Sequence, residues 1–320
     1  MIFITSFLHY KQFPIYEWKL IIEYIKNNRQ KEDLKLFIEK LGYDKNDKLL
    51  IIHADDVGLS KSVNESTFES FKNKSITSAS IIMNSHKKNE ALNYAIDNPS
   101  YDFGIHLTVT SEWKHHKWGG VIGKSENPSL HNNKGNFFWN KRKFIKNVNI
   151  KELEKELQAQ IDLSKNIGLK PSHIDSHEGA LFFDTNIFKL YIDLAVTNKL
   201  LAFVPIEASI HFNDNFKKPK NAVIIDQFHM LSAGTQIEDI ESFYYTTINN
   251  LKPGISQIIV HLGKNEPKLK EITVDHPNFN YLWRQEDHNV INSKKFKDLI
   301  IKNDIKLLSW GDLKKVIIDF

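Results

Sequence analysis

Apolar positions change period early in the chain. From residue 14 to 47 they recur at helical spacing, first Trp18, Ile21, Ile22 and Ile25, then Leu34, Leu36, Phe37 and Leu41. Gly42 then offers a helix stop. This stretch reads as a helical N-terminal extension, residues 1–47, ahead of a larger catalytic domain, residues 48–320. At Lys48 the pattern breaks. Leu49-Leu50-Ile51-Ile52 is a continuous apolar run, which predicts a buried strand, and it ends in His53-Ala54-Asp55-Asp56-Val57-Gly58.

An alternation of helical and strand-like segments follows. Strands are predicted at Ser78 to Met83, Phe103 to Val109, His173 to Asp175, Leu201 to Val204, Val223 to Ile225 and Ile255 to Val260. Helices are predicted near Val63 to Lys72, Lys87 to Ile96, Lys151 to Ile167, Ile187 to Thr197 and Ile237 to Leu251. The clearest is Lys151 to Ile167, with a Leu153, Leu157, Ile161 stripe and Gly168 after it. Phe296 to Ile301 and Ile305 to Leu308 close the series. Seven or eight strands separated by helices predict an α/β fold with a parallel sheet, closed as a TIM-like, slightly irregular (β/α) barrel. No Gly-x-Gly-x-x-Gly follows the first strand, which argues against a dinucleotide fold. A long segment, Ser111 to about Asn140, has no periodicity, and such loops inside compact domains are usually functional.

Composition narrows the chemistry. The chain has 320 residues, 41% hydrophobic, which is enough to bury a core. Its 43 basic and 39 acidic residues leave a net charge of +4, which does not point to nucleic acid. No cysteine is present, so thiolate nucleophiles, disulfides and Cys-held zinc are excluded. No apolar run approaches the ~18 residues of a membrane helix. Met1 to Phe13 makes a poor signal peptide, so the chain as written reads as cytoplasmic, with a secreted or periplasmic location if a leader was trimmed.

Reactive groups in a barrel sit at the C-terminal ends of its strands. This chain repeatedly places charge there: Asp55-Asp56 after the first strand, His106 in the third, His173, Asp175 and His177 in and after the fourth, then a position near Asp226, and His261. A single aspartate after a strand often caps a helix, and a single histidine often packs in a core. The adjacent pair Asp55-Asp56 differs, because two neighbouring carboxylates repel and a cation offsets the repulsion. His173 and Asp175 can equally orient other groups. His115 and His116 in the loop read as solvated or substrate-facing. Two imidazoles and one carboxylate suit Zn²⁺, and other divalent ions such as Mg²⁺, with coordination positions left open. The carboxylate left off the metal would serve as a base.

The segment Leu50-Ile51-Ile52-His53-Ala54-Asp55-Asp56-Val57-Gly58-Leu59-Ser60 resembles the opening motif of YdjC-like carbohydrate deacetylases. Gly104-Ile105-His106-Leu107-Thr108-Val109-Thr110 resembles their second motif, Pro171-Ser172-His173-Ile174-Asp175-Ser176-His177 their third, and Val260-His261 a late strand-end histidine. The likeness runs from about Leu49 to Leu313. It implies a barrel, one divalent metal ion (Zn or Mg) and removal of acetyl groups from N-acetylated sugars or oligosaccharides. By position it implies Asp56, His106 and His177 as metal ligands, Asp55 as the base activating metal-bound water, and His261 as the acid that protonates the leaving amine. Here Glu178-Gly179-Ala180 follows His177 where many members continue with histidine. With Ser111-Glu112-Trp113 and Trp283-Arg284-Gln285-Glu286-Asp287, this resembles a polysaccharide deacetylase-like subgroup and leaves the sugar open.

Arg284 and Trp113 are the expected substrate-binding residues. Arg284 could instead hold Asp55 ionised or form a surface ion pair, and Trp113, Trp118 and Trp139 could stack on sugar faces or pack the loop. The expected partner is an N-acetylated saccharide, with a homodimer kept open and no nucleic acid or membrane span. Two other functions compete: a metal-dependent phosphoester hydrolase on a similar barrel, which would want more ligands, and a non-catalytic carbohydrate-binding protein, which would not need Asp55.

Overall fold

The computed structural model describes residues 37–318, apart from Asp226 and Pro277. The helical stripe expected before residue 37 lies outside the described residues, as does Asp226. Residues 37–40 are helical. Ile38 is buried in the core, and Phe37, Leu41 and Tyr43 pack against it, so the end of the expected preface sits on the barrel.

Nine strands are present among the described residues: β1 Lys48–Val57, β2 Ser78–Ile81, β3 Phe103–Leu107, β4 His173–Ser176, β5 Leu201–Pro205, β6 Ala222–Ile225, β7 Gln227–Met230, β8 Gly254–Val260 and β9 Ile305–Leu307. The pairing order is β6-β5-β4-β3-β2-β1-β8-β7, with β9 also on β1. Every one of these pairs is parallel. The two ends of the order, β6 and β7, are one residue apart in the chain. The segment therefore pairs with β5 through its first half and β8 through its second, which closes the sheet into the expected (β/α) barrel. β7 was not anticipated, because Gln-Phe-His-Met is neither an apolar run nor fully buried.

Apolar burial drives closure. Leu49, Leu50, Ile51 and Ile52 are fully buried, and each such side chain contributes roughly 1.5–3 kcal/mol. The helix Ile150–Asn166 is capped by Asn149, whose side chain accepts from the Lys151 and Glu152 amides. Its buried face carries Leu153, Leu157 and Ile161, and also Glu156 and Gln160. These two polar residues hold the neighbouring segments. Gln160 exchanges hydrogen bonds with the Thr108 backbone at 3.0 and 2.8 Å, and Glu156 accepts from the Val121 and Ile122 amides at 2.8 and 2.9 Å. The long loop is thus pinned to the barrel. Its C-terminal flank forms the short helix Lys141–Asn147. Helices at Pro267–Thr273, Tyr281–Asn292, Lys294–Lys302 and Trp310–Ile317 follow, the third covering the segment Phe296 to Ile301. In Tyr281–Asn292 the buried face mixes Arg284, Asp287 and His288 with apolar residues, which masks the helical period.

Candidate metal centre

All strands point the same way, so the residues expected at their C-terminal ends meet at one rim. Alternation along β4 puts His173 and Asp175 on one face, with His177 just beyond it. Register then pairs Asp175 with His106 of β3, and the His106 Nδ1 to Asp175 Oδ1 distance is 2.7 Å. A carboxylate only accepts, so Nδ1 carries a proton and Nε2 is the nitrogen that faces the site.

β1 reaches the rim through a bulge. Between Ala54 and Val57 its register against β2 shifts, three steps of β1 matching two of β2. Asp56 sits at φ 65°, a left-handed conformation uncommon outside glycine. In a regular strand Asp55 and Asp56 would face opposite sides. Here both face His106, whose Nε2 lies 3.5 Å from Asp56 Oδ1 and 4.0 Å from Asp55 Oδ2.

Three ligand atoms converge. His177 Nδ1 is 3.2 Å from Asp56 Oδ1 and 3.3 Å from His106 Nε2, which with the 3.5 Å edge makes a nearly equilateral triangle. A tetrahedral ion with bonds of about 2.0–2.1 Å spaces its ligand atoms about 3.3 Å apart. Asp56 Oδ1 is buried without a hydrogen-bond partner. An orphaned carboxylate oxygen facing two imidazole nitrogens fits a cation. Further groups that could hold a metal are His53, His173 and Asp175; Asp55, His106 and Asp175; and Glu112, His177 and Glu178, the last two sharing a histidine with the triangle. In the first two, Asp175 is already hydrogen-bonded to His53 at 2.9 Å and to His106.

Charge in the site favours cations. Burial pushes the Asp56 carboxyl up, but Arg284, His106 and His177 outweigh it and hold the group well below its ordinary range. Burial opposes protonation of His106, yet Asp175 and Asp55 raise it to about 10. His177 is likewise raised well above its ordinary value, against burial, by Glu112 and Asp56. The excess negative charge that holds these protons is equally available to a metal.

The other expected residues are placed as follows. His261 Nε2 lies 3.9 Å from Asp55 Oδ2, and burial lowers its pKa to about 4, so it is neutral at neutral pH. Arg284 is buried and donates from Nη2 to Asp56 Oδ2 at 2.6 Å. It pairs with Asp56 rather than Asp55, because the bulge turns the second Asp56 oxygen toward the helix Tyr281–Asn292. Trp113 is 3% exposed, with the Arg284 guanidinium 5.6 Å above its ring and His276 beside it. Trp118 is also buried, whereas Trp139 is 56% exposed. His115 pairs with Asp275 at 2.7 Å.

Two neighbours of the site were not singled out from sequence. His53, fully buried, lies 2.9 Å from Asp175 Oδ2 and 3.2 Å from Asp55 Oδ1. Its position two residues before Asp55 was the available signal, since alternation puts both on one face. Glu112 lies 3.0 Å from His177 Nε2. Its signal was the Ser111-Glu112-Trp113 segment of the resemblance, which marked the loop but gave Glu112 no role, since the loop has no periodicity to place it.

A carbohydrate deacetylase of Thermoanaerobacter pseudethanolicus is 24% identical over 283 residues, covering 83% of this chain and 100% of the relative. One of Geobacillus stearothermophilus is 33% identical over 150 residues, covering 47% of this chain and 57% of the relative. Among solved structures, an Enterococcus faecalis V583 protein named for cellobiose-phosphate cleavage superposes with a TM-score of 0.68 at 23% identity, covering 83% of this chain and 99% of that one. At that identity the likeness speaks for the fold. A sequence model of the YdjC-like protein family matches residues 49–302. That span includes β1, β3, β4 and β8 with every converging side chain described above, and the chain belongs to the YdjC-like protein family.

Proposed function

We propose that this protein is a metal-dependent carbohydrate deacetylase that hydrolyses the amide of N-acetylated sugars or oligosaccharides. The observation that carries the reading is the triangle of Asp56 Oδ1, His106 Nε2 and His177 Nδ1, with Asp55 beside it. Relatives of matching length carry the name carbohydrate deacetylase, which supplies the substrate class.

A divalent ion held by Asp56, His106 and His177, Zn²⁺ or Mg²⁺, would polarise the acyl oxygen and acidify water. Asp55 is the base. It stands off the triangle, and its Oδ2 faces His106 and His261. As water attacks the acyl carbon, Asp55 takes its proton. The C–N bond then breaks, and His261 delivers a proton to the departing amine. Because His261 is neutral at rest, it must first acquire that proton, and Asp55 Oδ2 at 3.9 Å is placed to supply it. The products are acetate and the free amino sugar. Arg284 leaves Asp56 one oxygen for the metal by engaging the other, and Trp113 supports Arg284 from below. These two serve the substrate through the ligand they brace, and among the described tryptophans exposed Trp139 is the one open to a sugar face.

The phosphoester alternative needs two or three cations. Asp175, which two of the additional ligand groups share, is committed to hydrogen bonds with His53 and His106, and this favours the one-ion reading. Acetate release across a panel of N-acetylated and O-acetylated saccharides, with metal content measured on the same sample, tests the proposal. We expect about one ion per chain and release from N-acetyl substrates. A metal-loaded protein that frees no acetate from any of them would sink it.

A further inference from the structure

The two histidines of the triangle offer different nitrogens, Nε2 from His106 and Nδ1 from His177. Each choice needs an acceptor for the proton on the other nitrogen. For His106 it is Asp175, fixed by strand register. For His177 it is Glu112, whose Oε2 lies 3.0 Å from Nε2. The bracing is crossed, since His106 on β3 is held from β4 while His177, just past β4, is held from the loop after β3.

Glu112 is seated for this task. The Ser111 amide donates to the Phe138 carbonyl at 2.9 Å, and the Trp118 amide donates to Ser111 Oγ at 3.1 Å. On its other side, buried Trp113 is packed under Arg284. Anchored before and after, the Glu112 side chain is 10% exposed and lies against His177.

We propose that Glu112 is a positioning residue of the metal centre. It accepts a hydrogen bond from His177 Nε2–H and thereby leaves Nδ1 as the nitrogen offered to the cation. With the other tautomer, Nδ1 would direct a hydrogen into the triangle, toward His106 Nε2 only 3.3 Å away. The loop therefore takes part in metal binding without contributing a ligand. This inference rests on the metal site proposed above.

The test uses the full chain, with Zn²⁺ alone as the probe. Glu112→Ala removes the acceptor, and Glu112→Gln keeps an acceptor oxygen without the charge. Removing a group that orients a metal-bound histidine typically weakens binding by about 10–100-fold. We expect that loss of Zn²⁺ affinity for Glu112→Ala and a smaller one for Glu112→Gln. Histidine-labelled NMR of the Zn²⁺-loaded protein supplies a readout independent of turnover. The slowly exchanging His177 Nε2 proton should disappear in Glu112→Ala and persist, shifted, in Glu112→Gln, while the His106 Nδ1 proton stays in place in both. Wild-type Zn²⁺ affinity in Glu112→Ala, or joint loss of both proton signals, overturns the inference, the latter marking a general structural disturbance. If the wild-type chain binds no divalent ion, the metal reading itself fails.

Discussion

Asp55 and Asp56 are adjacent in the chain and differ in what touches them. Asp56 meets Arg284 through one oxygen and the two histidines through the other. Asp55 meets His53 on one side and His261 on the other. In the proposed reading the first is the ligand and the second the base. Replacing Asp55 by Asn keeps size and burial and removes the proton acceptor. Metal content should be unchanged, and turnover should fall by about 10²–10⁴-fold, the usual range for a positioned base. His106→Ala should instead lose the metal itself. If metal analysis and acetate release showed both variants behaving as wild type, the assignment of roles would be wrong. From sequence, the acidic pair was visible as an anomaly that needed a cation. The division of labour came from the resemblance, and the neighbours of each carboxylate are consistent with it.

Among the elements, the contact of β3 with β4 matters most to the site, because it brings His106 beside Asp175. Gly104 makes this close approach possible. A Cβ there would meet the His173 ring at 2.4–2.6 Å. That ring cannot retreat: His173 is fully buried and stacks on Trp310, with centroids 5.0 Å apart. Gly104→Ala is therefore an overpacking change, expected to cost about 1–3 kcal/mol of stability. Denaturant unfolding checks this, and metal affinity should weaken as the strands are pushed apart. An unchanged unfolding midpoint would mean that the strands separate freely. Most strands were legible in the sequence as apolar runs. β7 was not, because its residues are half-buried and mixed, and neither was the helix carrying Arg284, whose buried face includes Arg284, Asp287 and His288.

At the scale of the molecule, the candidate metal centre links stability to pH. His106 and His177 have raised pKa values in the metal-free protein. Their contribution is fully present below 6.5 and is lost as pH rises through about 10 for His106. Asp56 works in the opposite sense: its depressed pKa gives stability above 3.8 that is lost as pH falls further. Metal needs the histidines deprotonated, so its binding should release protons and tighten across the alkaline window. Thermal unfolding should show the metal-free midpoint falling from pH 6.5 toward about 10, while the gain from added Zn²⁺ grows. A gain that shrinks with rising pH would contradict this account. The sequence by itself determined which residues could meet. A parallel barrel collects the ends of its strands at one rim, and two-residue spacing keeps His173 and Asp175 on one face. Only the tertiary structure decided which atom each residue offers. The bulge at Asp56, the pairing of Arg284 with Asp56 and the seat of Glu112 depend on register and on partners 228 and 65 residues away in the chain. Contacts over such separations leave no periodic trace in the local sequence.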